Sequence, residues 1–169
     1  MDTVQVPDQG GLKPAAQSPP KGFGEAVHSY LTQLVVVADA KAALLMTLAL
    51  AVIGVLLTVN FATPVAVIAH WAGLLLLATS GSLGAFVIFP RLPSGGTGVI
   101  FWEDILKHGS PDGYLRYVQG LDSTKVEQEY AAQNYYISVV LHKKFVTLIW
   151  EVVAFIIGAL LTLIAMAIK

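Results

Sequence analysis

STKVEQEYAAQNYYISVVLHKKFVTLIWEVVAFIIGALLTLIAMAIK, from Ser123 to Lys169, reads as one helix of two natures. In its first half, Ser123 to Lys144, the apolar residues Val126, Tyr130, Ile137 and Leu141 recur at helical spacing. Lys125, Glu127, Glu129 and Gln133 stand between them, the pattern of a helix with one dry face and one wet one. The second half, Phe145 to Ile168, carries no charge but Glu151. About 20 residues at 1.5 Å each cross a bilayer, so this half is long enough to span. Neither Pro nor Gly interrupts the junction at Lys143-Lys144, which predicts a continuous rod. A change in its aqueous half is then carried mechanically into its membrane half.

Composition supports the membrane reading. Apolar residues make up 56% of the 169 and charged ones 12%, against about 25% charged in ordinary globular domains. The apolar residues fall in long blocks, so the fold class is an all-α membrane protein with three spans. A net charge of −1 gives no global field for nucleic acid, and the lack of cysteine excludes disulfides, thiolate metal sites and thiol nucleophiles. The four histidines are too scattered in sequence to make a metal pair at helical spacing.

Working backwards and forwards from the rod, the chain divides as follows. Residues 1–22 are rich in Pro, Gly and Gln, lack the apolar run of a signal peptide, and are expected to form a disordered tail. A juxtamembrane helix over 23–41, with Ala26, Tyr30, Leu31 and Leu34 on one face, runs into a first span at 42–61. Thr63 as N-cap and Pro64 in the first turn open the second span, 64–89. Its small pairs Ser80/Gly84 and Gly81/Ala85 suit close helix packing, with a neighbouring span or with a second copy. His70 and Trp71 suit an interfacial position. Residues 91–144 form a small cytoplasmic α-helical unit between the second and third spans, and 145–168 are the third span. Within that unit Val99 to His108 predicts a short helix closed by Gly109, Ser110-Pro111 opens another, and Asp122 or Ser123 caps the rod. Its core is small enough to need completion by the membrane-proximal helix or a second copy.

Basic residues give the orientation. Lys41, Arg91, Lys143 and Lys144 abut span ends on one side, whereas the turn at Asn60 to Pro64 is uncharged. The positive-inside rule then puts the N-terminus and 91–144 in the cytoplasm and the C-terminus outside. The carboxylates Glu103, Asp104, Glu127 and Glu129 read as a solvated face, and no catalytic constellation stands out, so the chain is read as a non-enzyme with no cofactor. Inside the membrane, Glu151 shares a helix face with Thr147, Gly158 and Thr162, and Thr47, Gly54 and Thr58 repeat that spacing in the first span. An acid in a span costs roughly 2.5–3.5 kcal/mol at mid-depth on insertion scales, so it wants a reason. Either Glu151 reaches a lysine near the surface, or Glu151, Thr147, Thr162, Thr47 and Thr58 line a polar path in an assembly.

Asp39-Ala40-Lys41-Ala42 opening the first span, Phe89-Pro90-Arg91 closing the second, Phe101-Trp102-Glu103-Asp104-Ile105, Tyr114-Leu115, and Gln133-Asn134 ahead of His142-Lys143-Lys144 together resemble the Pycsar transmembrane effectors over residues 23–168. Ala40 stands where that family usually has a polar residue. The resemblance implies an inner-membrane effector of antiphage defence. A partner pyrimidine nucleotide cyclase makes a cyclic pyrimidine nucleotide (cyclic UMP or cyclic CMP), and the effector responds by impairing the membrane, so that the cell dies before phage are released. The residues permit such a ligand: Arg91, Lys143 or Lys144 for the phosphate, Trp102 or Tyr114 for the base face, and Asn134 for the pyrimidine edge. A homo-oligomer in the bilayer is expected. Two rival readings remain at this stage: a membrane anchor that docks a cytosolic protein, and a small constitutive ion channel.

Overall fold

The computed structural model describes residues 20–89 and 100–168, without the side chain of Trp102. Five helices follow in chain order: α1 (Phe23–Leu56), α2 (Pro64–Ile88), α3 (Trp102–Leu106), α4 (Pro111–Gln119) and α5 (Ser123–Ala167). Three of them, α1, α2 and α5, are long and apolar enough to cross a membrane. There is no strand among the described residues.

Local chemistry sets the helix ends. Thr63 Oγ1 accepts from Ala66 N at 3.3 Å and Pro64 follows as the first helical residue. Ser110 Oγ accepts from Gly113 N at 3.0 Å, again with Pro next, and Asp122 Oδ1 accepts from Lys125 N at 2.8 Å. In each case a side-chain oxygen satisfies an amide that lacks an intrahelical partner. Gly109, at φ 74°, makes the left-handed turn between α3 and α4. The rod is unbroken: α5 runs 45 residues, about 68 Å at 1.5 Å per residue. The first span ends earlier than expected, since α1 stops at Leu56 and the chain turns before Pro64.

Packing inside the bundle is by small residues. Ala38, Ala42 and Ala49 of α1 are fully buried, and α2 turns Gly73, Leu77, Ser80 and Gly84 inward. Two apolar clusters, Ala42/Val87/Leu148 and Ala49/Leu56/Leu74/Leu77, hold the three spans together. Outward, Leu44, Leu48, Leu75, Ile149, Trp150 and Ile156 are exposed, as lipid-facing side chains should be. The buried face of α1 differs from the expectation at its start. Ala26 and Tyr30 are exposed, and the inward line runs from Gly24 to Ala38 and Ala42. His70 is buried at 6% exposure, with the Phe61 ring tilted against it at 4.6 Å, whereas Trp71 beside it is exposed. Of the small pairs, Ser80 and Gly84 pack within the chain, whereas Ala85 faces out.

α1 and α5 both continue beyond the bundle as a two-helix stalk. The short helices α3 and α4 lead into its tip. Phe101 and Asp104 are buried, but α4 buries none of its residues, and Leu106, Leu115, Tyr117 and Val118 are exposed.

Candidate functional site

Three polar clusters lie along α5, each at a different height. The first is at the stalk tip, where α1 begins after Gly22 at φ 78°. Glu127 Oε1 accepts from Gly22 N at 3.0 Å and its Oε2 from Gly24 N at 3.1 Å. The carboxylate thus caps α1 from a distant part of the chain and meets the positive end of its dipole. A methyl group on Gly24 would lie 2.6 Å from Tyr130 Cβ and 2.7 Å from Glu127 Oε2, so the cap needs a glycine there. Asn134 Nδ2 donates to Gly24 O at 2.9 Å, and its Oδ1 lies 3.2 Å from His28 Nδ1. Tyr130 rests edge-on against His28. Burial pushes its phenol above the ordinary value of 10.0, and Glu25, Glu127 and Tyr114 push it the same way.

The second cluster lies where the stalk meets the bundle. Lys144 is 8% exposed. Its ammonium donates to Asp39 Oδ1 of α1 and to Val87 O of α2, both at 2.5 Å. Val87 is in the last turn of α2, whose carbonyls lack intrahelical N–H donors. A cation there also suits the negative end of the helix dipole. One ammonium therefore ties α5 to both other spans. Breaking a buried pair costs roughly 3–5 kcal/mol, and Asp39, 34% exposed, lets water take up part of that. Lys143 and Lys41 are exposed beside this junction.

The third cluster is inside the membrane. Glu151 is fully buried where α5 meets α2, and neither carboxyl oxygen has a hydrogen-bond partner among the described residues. Its carboxyl fits because residue 84 is glycine: a Cβ there would sit 2.5 Å from Glu151 Oε1 and 3.2 Å from Ala42 O. Ser80 Oγ donates to the main-chain oxygen of Glu151 at 3.1 Å, not to its carboxyl. Further along the seam the backbones of α2 and α5 touch at Gly73 and Gly158. At the far end Thr63 Oγ1 donates to Ile168 O at 3.2 Å.

The residues expected to bind a nucleotide divide between these heights. Tyr114 and Asn134 belong to the stalk tip, and Asn134 is engaged with Gly24 and His28. Lys143 and Lys144 belong to the junction, nine and ten residues on from Asn134, which is about 13–15 Å along the helix. Arg91 and the side chain of Trp102 lie outside the described residues. The threonines divide as well. Thr162 is buried beside Gly73, and Thr147 is half-buried, whereas Thr47 and Thr58 face outward. All four hydroxyls donate to carbonyls of their own helix or its final turn, the usual resolution for a hydroxyl in lipid. The repeat of spacing between α1 and α5 is not a structural symmetry, since Gly54 is exposed and Gly158 buried.

Spacing within one helix does not reveal the contacts that matter most. Asp39 with Lys144 and Glu127 with Gly22 join residues 105 positions apart. The available signals were an acid just ahead of the first span and a lysine at the head of the third. Glu127, read as part of a solvated face, is a cap.

Comparison with known proteins bears on the whole of this arrangement. Neither the curated proteins nor the solved structures give a match to the chain. A protein-family profile described as the Pycsar effector protein domain, PycTM, matches residues 23–169, which takes in every described helix and all of the three clusters but Gly22. The chain, a membrane protein with three spans, belongs to the Pycsar effector family.

Proposed function

We propose that this effector is switched by cyclic UMP or cyclic CMP from a partner cyclase, and that once switched it impairs the bacterial inner membrane and kills the infected cell. It acts as a non-enzyme. The observation that carries the reading is the family match over 23–169 on a chain whose α5 passes unbroken from an aqueous stalk into the bilayer. Lys41, Lys143 and Lys144 gather at the stalk side of the bundle, while the turn at the other end carries no charge. The positive-inside rule then places the stalk in the cytoplasm, where the messenger is made.

A cyclic mononucleotide brings one negative charge and a flat base. At the stalk tip Lys21 and Lys125 are offset by Glu25 and Glu127, whereas the junction offers the exposed Lys41 and Lys143 and, by sequence, Arg91. The phosphate is therefore assigned to the junction. Asn134, already held by α1 at the tip, then keeps the stalk paired there rather than meeting the base. The uncovered apolar side chains of α4 favour a second copy as the element that completes the sensor. In the switched assembly Glu151, Thr147 and Thr162 supply polar lining in the seam, with Thr47 and Thr58 on the outer face towards neighbouring copies.

Purified protein in dye-loaded liposomes tests this reading. Release with cyclic UMP or cyclic CMP, and none with cyclic AMP or cyclic GMP, is expected. Release without any nucleotide favours the constitutive channel, and retention under all four favours the anchor. Glu151→Gln and Thr162→Val should each reduce nucleotide-dependent ion flux; unchanged flux removes them from the path.

A further inference from the structure

Among the described residues, the buried side-chain atoms without a hydrogen-bond partner are His70 Nδ1, towards the far end of α2, and the two carboxyl oxygens of Glu151. Both oxygens of the fully buried Glu151 carboxyl lack partners, pressed against Gly84. The Ser80 hydroxyl, from α2, is spent on the main-chain oxygen of Glu151. A buried polar group without a partner favours any state that lets water reach it. One and a half to two turns towards the stalk stands the opposite situation, a buried ammonium that binds both other spans at once through Asp39 and Val87 O. Val87 is the last residue but one of α2, immediately before the chain leaves for the α3–α4 unit. The grip on α2 is therefore placed where a pull from that unit arrives first.

We propose that the Asp39–Lys144–Val87 junction is the latch that keeps the stalk-side end of α2 docked on α5, and that releasing it opens the seam and admits water as far as Glu151. The latch acts on two helices through one side chain. Losing Asp39 lets the ammonium turn towards water and weakens its hold on Val87 O. Losing Lys144 leaves the α2 terminus with an unserved carbonyl and Asp39 without a counter-ion. The opposite end of α2 stays anchored by Thr63 to Ile168 and by the Gly73–Gly158 contact, so the motion is a splaying from one end. This inference rests on the reading above only in taking the splayed state to be the permeable one.

The chain has no cysteine, so one introduced thiol reports one position. Ser80→Cys is near-isosteric, fully buried, and lies seven residues deep from Val87. In liposomes without nucleotide, a charged thiol reagent should leave Ser80→Cys protected in the native background. It should label that thiol at least about tenfold faster when Asp39→Asn or Lys144→Met is added. Ala66→Cys, fully buried near the far end of α2, should stay protected in all backgrounds. Protection of Ser80→Cys retained in either variant would overturn the latch. So would labelling of Ala66→Cys alongside it, since the junction would then merely stabilise the fold. No nucleotide is used, so failure here leaves the nucleotide response standing, and failure of dye release leaves the latch standing.

Discussion

Gly73→Ala tests the packing on which the bundle depends. A Cβ built there lies 2.5 Å from Thr162 Cγ2, 3.0 Å from Gly158 O and 3.2 Å from Thr162 N. The first contact falls about 0.9 Å inside the 3.4 Å at which ordinary contact begins, and the other two involve main-chain atoms of α5. Thr162 is not free to rotate away, because its hydroxyl donates to Ala159 O at 2.8 Å. The helices must move apart, and overpacking of this kind costs about 1–3 kcal/mol. Gly158→Ala meets the reciprocal obstruction, 3.1 Å from Gly73 O and 3.0 Å from Leu77 Cγ. A single displacement relieves both, so the double variant should lose less than the two single losses together. Gly54→Ala is the control: nothing lies within 4 Å of a Cβ there, and the gain in helix propensity of about 1 kcal/mol should leave stability unchanged or improved. Denaturant or thermal unfolding in detergent, followed by tryptophan fluorescence, reads all four. Equal stability of Gly73→Ala and the native protein, or equal loss in Gly54→Ala, would show that close approach at Gly73 does not hold α2 on α5.

The stalk gives two more predictions. Glu127→Ala removes the carboxylate that caps α1 and should cost about 0.5–2 kcal/mol; hydrogen exchange at the Gly22 and Gly24 amides should quicken while exchange in the spans is unchanged. Tyr130 should titrate above the ordinary phenol value of 10.0 in a spectrophotometric titration. Since its phenol is raised, the folded state holds its proton more tightly than the unfolded chain. Its contribution is fully present below the ordinary value of 10.0 and is lost as pH rises through the raised one. Tyr130→Phe should flatten the fall in stability at high pH, and an unaltered slope would show that another group is responsible.

Much of the fold is written in short-range chemistry. Thr63-Pro64, Ser110-Pro111 and Asp122 mark helix starts because an oxygen acceptor beside a fixed or helix-ready backbone is a local solution to a local problem. Gly109 marks a stop for the same reason, and the unbroken α5 follows from the absence of any breaker at Lys143-Lys144. The site is less legible. Lys144 reads equally well as an interface anchor or as a phosphate contact, until α1 and α2 bring Asp39 and Val87 O to it. Asn134 has the donor and acceptor that a pyrimidine edge needs, but Gly24 and His28 need the same atoms and are closer. Glu151 is conspicuous as an acid in a span, yet that it meets neither a lysine nor a hydroxyl depends on how closely Gly84 lets the helices approach. Such facts belong to the relative placement of helices distant in sequence, which spacing within one helix does not encode.

In this mechanism α5 carries the signal from the stalk into the bilayer as a rigid rod. Ile149 and Trp150 face outward on α5 between the Lys144 junction and Glu151, so replacing both with glycine leaves the buried packing of the bundle in place. It costs stiffness and about 1 kcal/mol of helix propensity at each position. Dye release from liposomes in response to cyclic UMP or cyclic CMP should then fall at least about tenfold, while nucleotide binding by the same protein is retained. Undiminished release from the double-glycine variant would contradict the account.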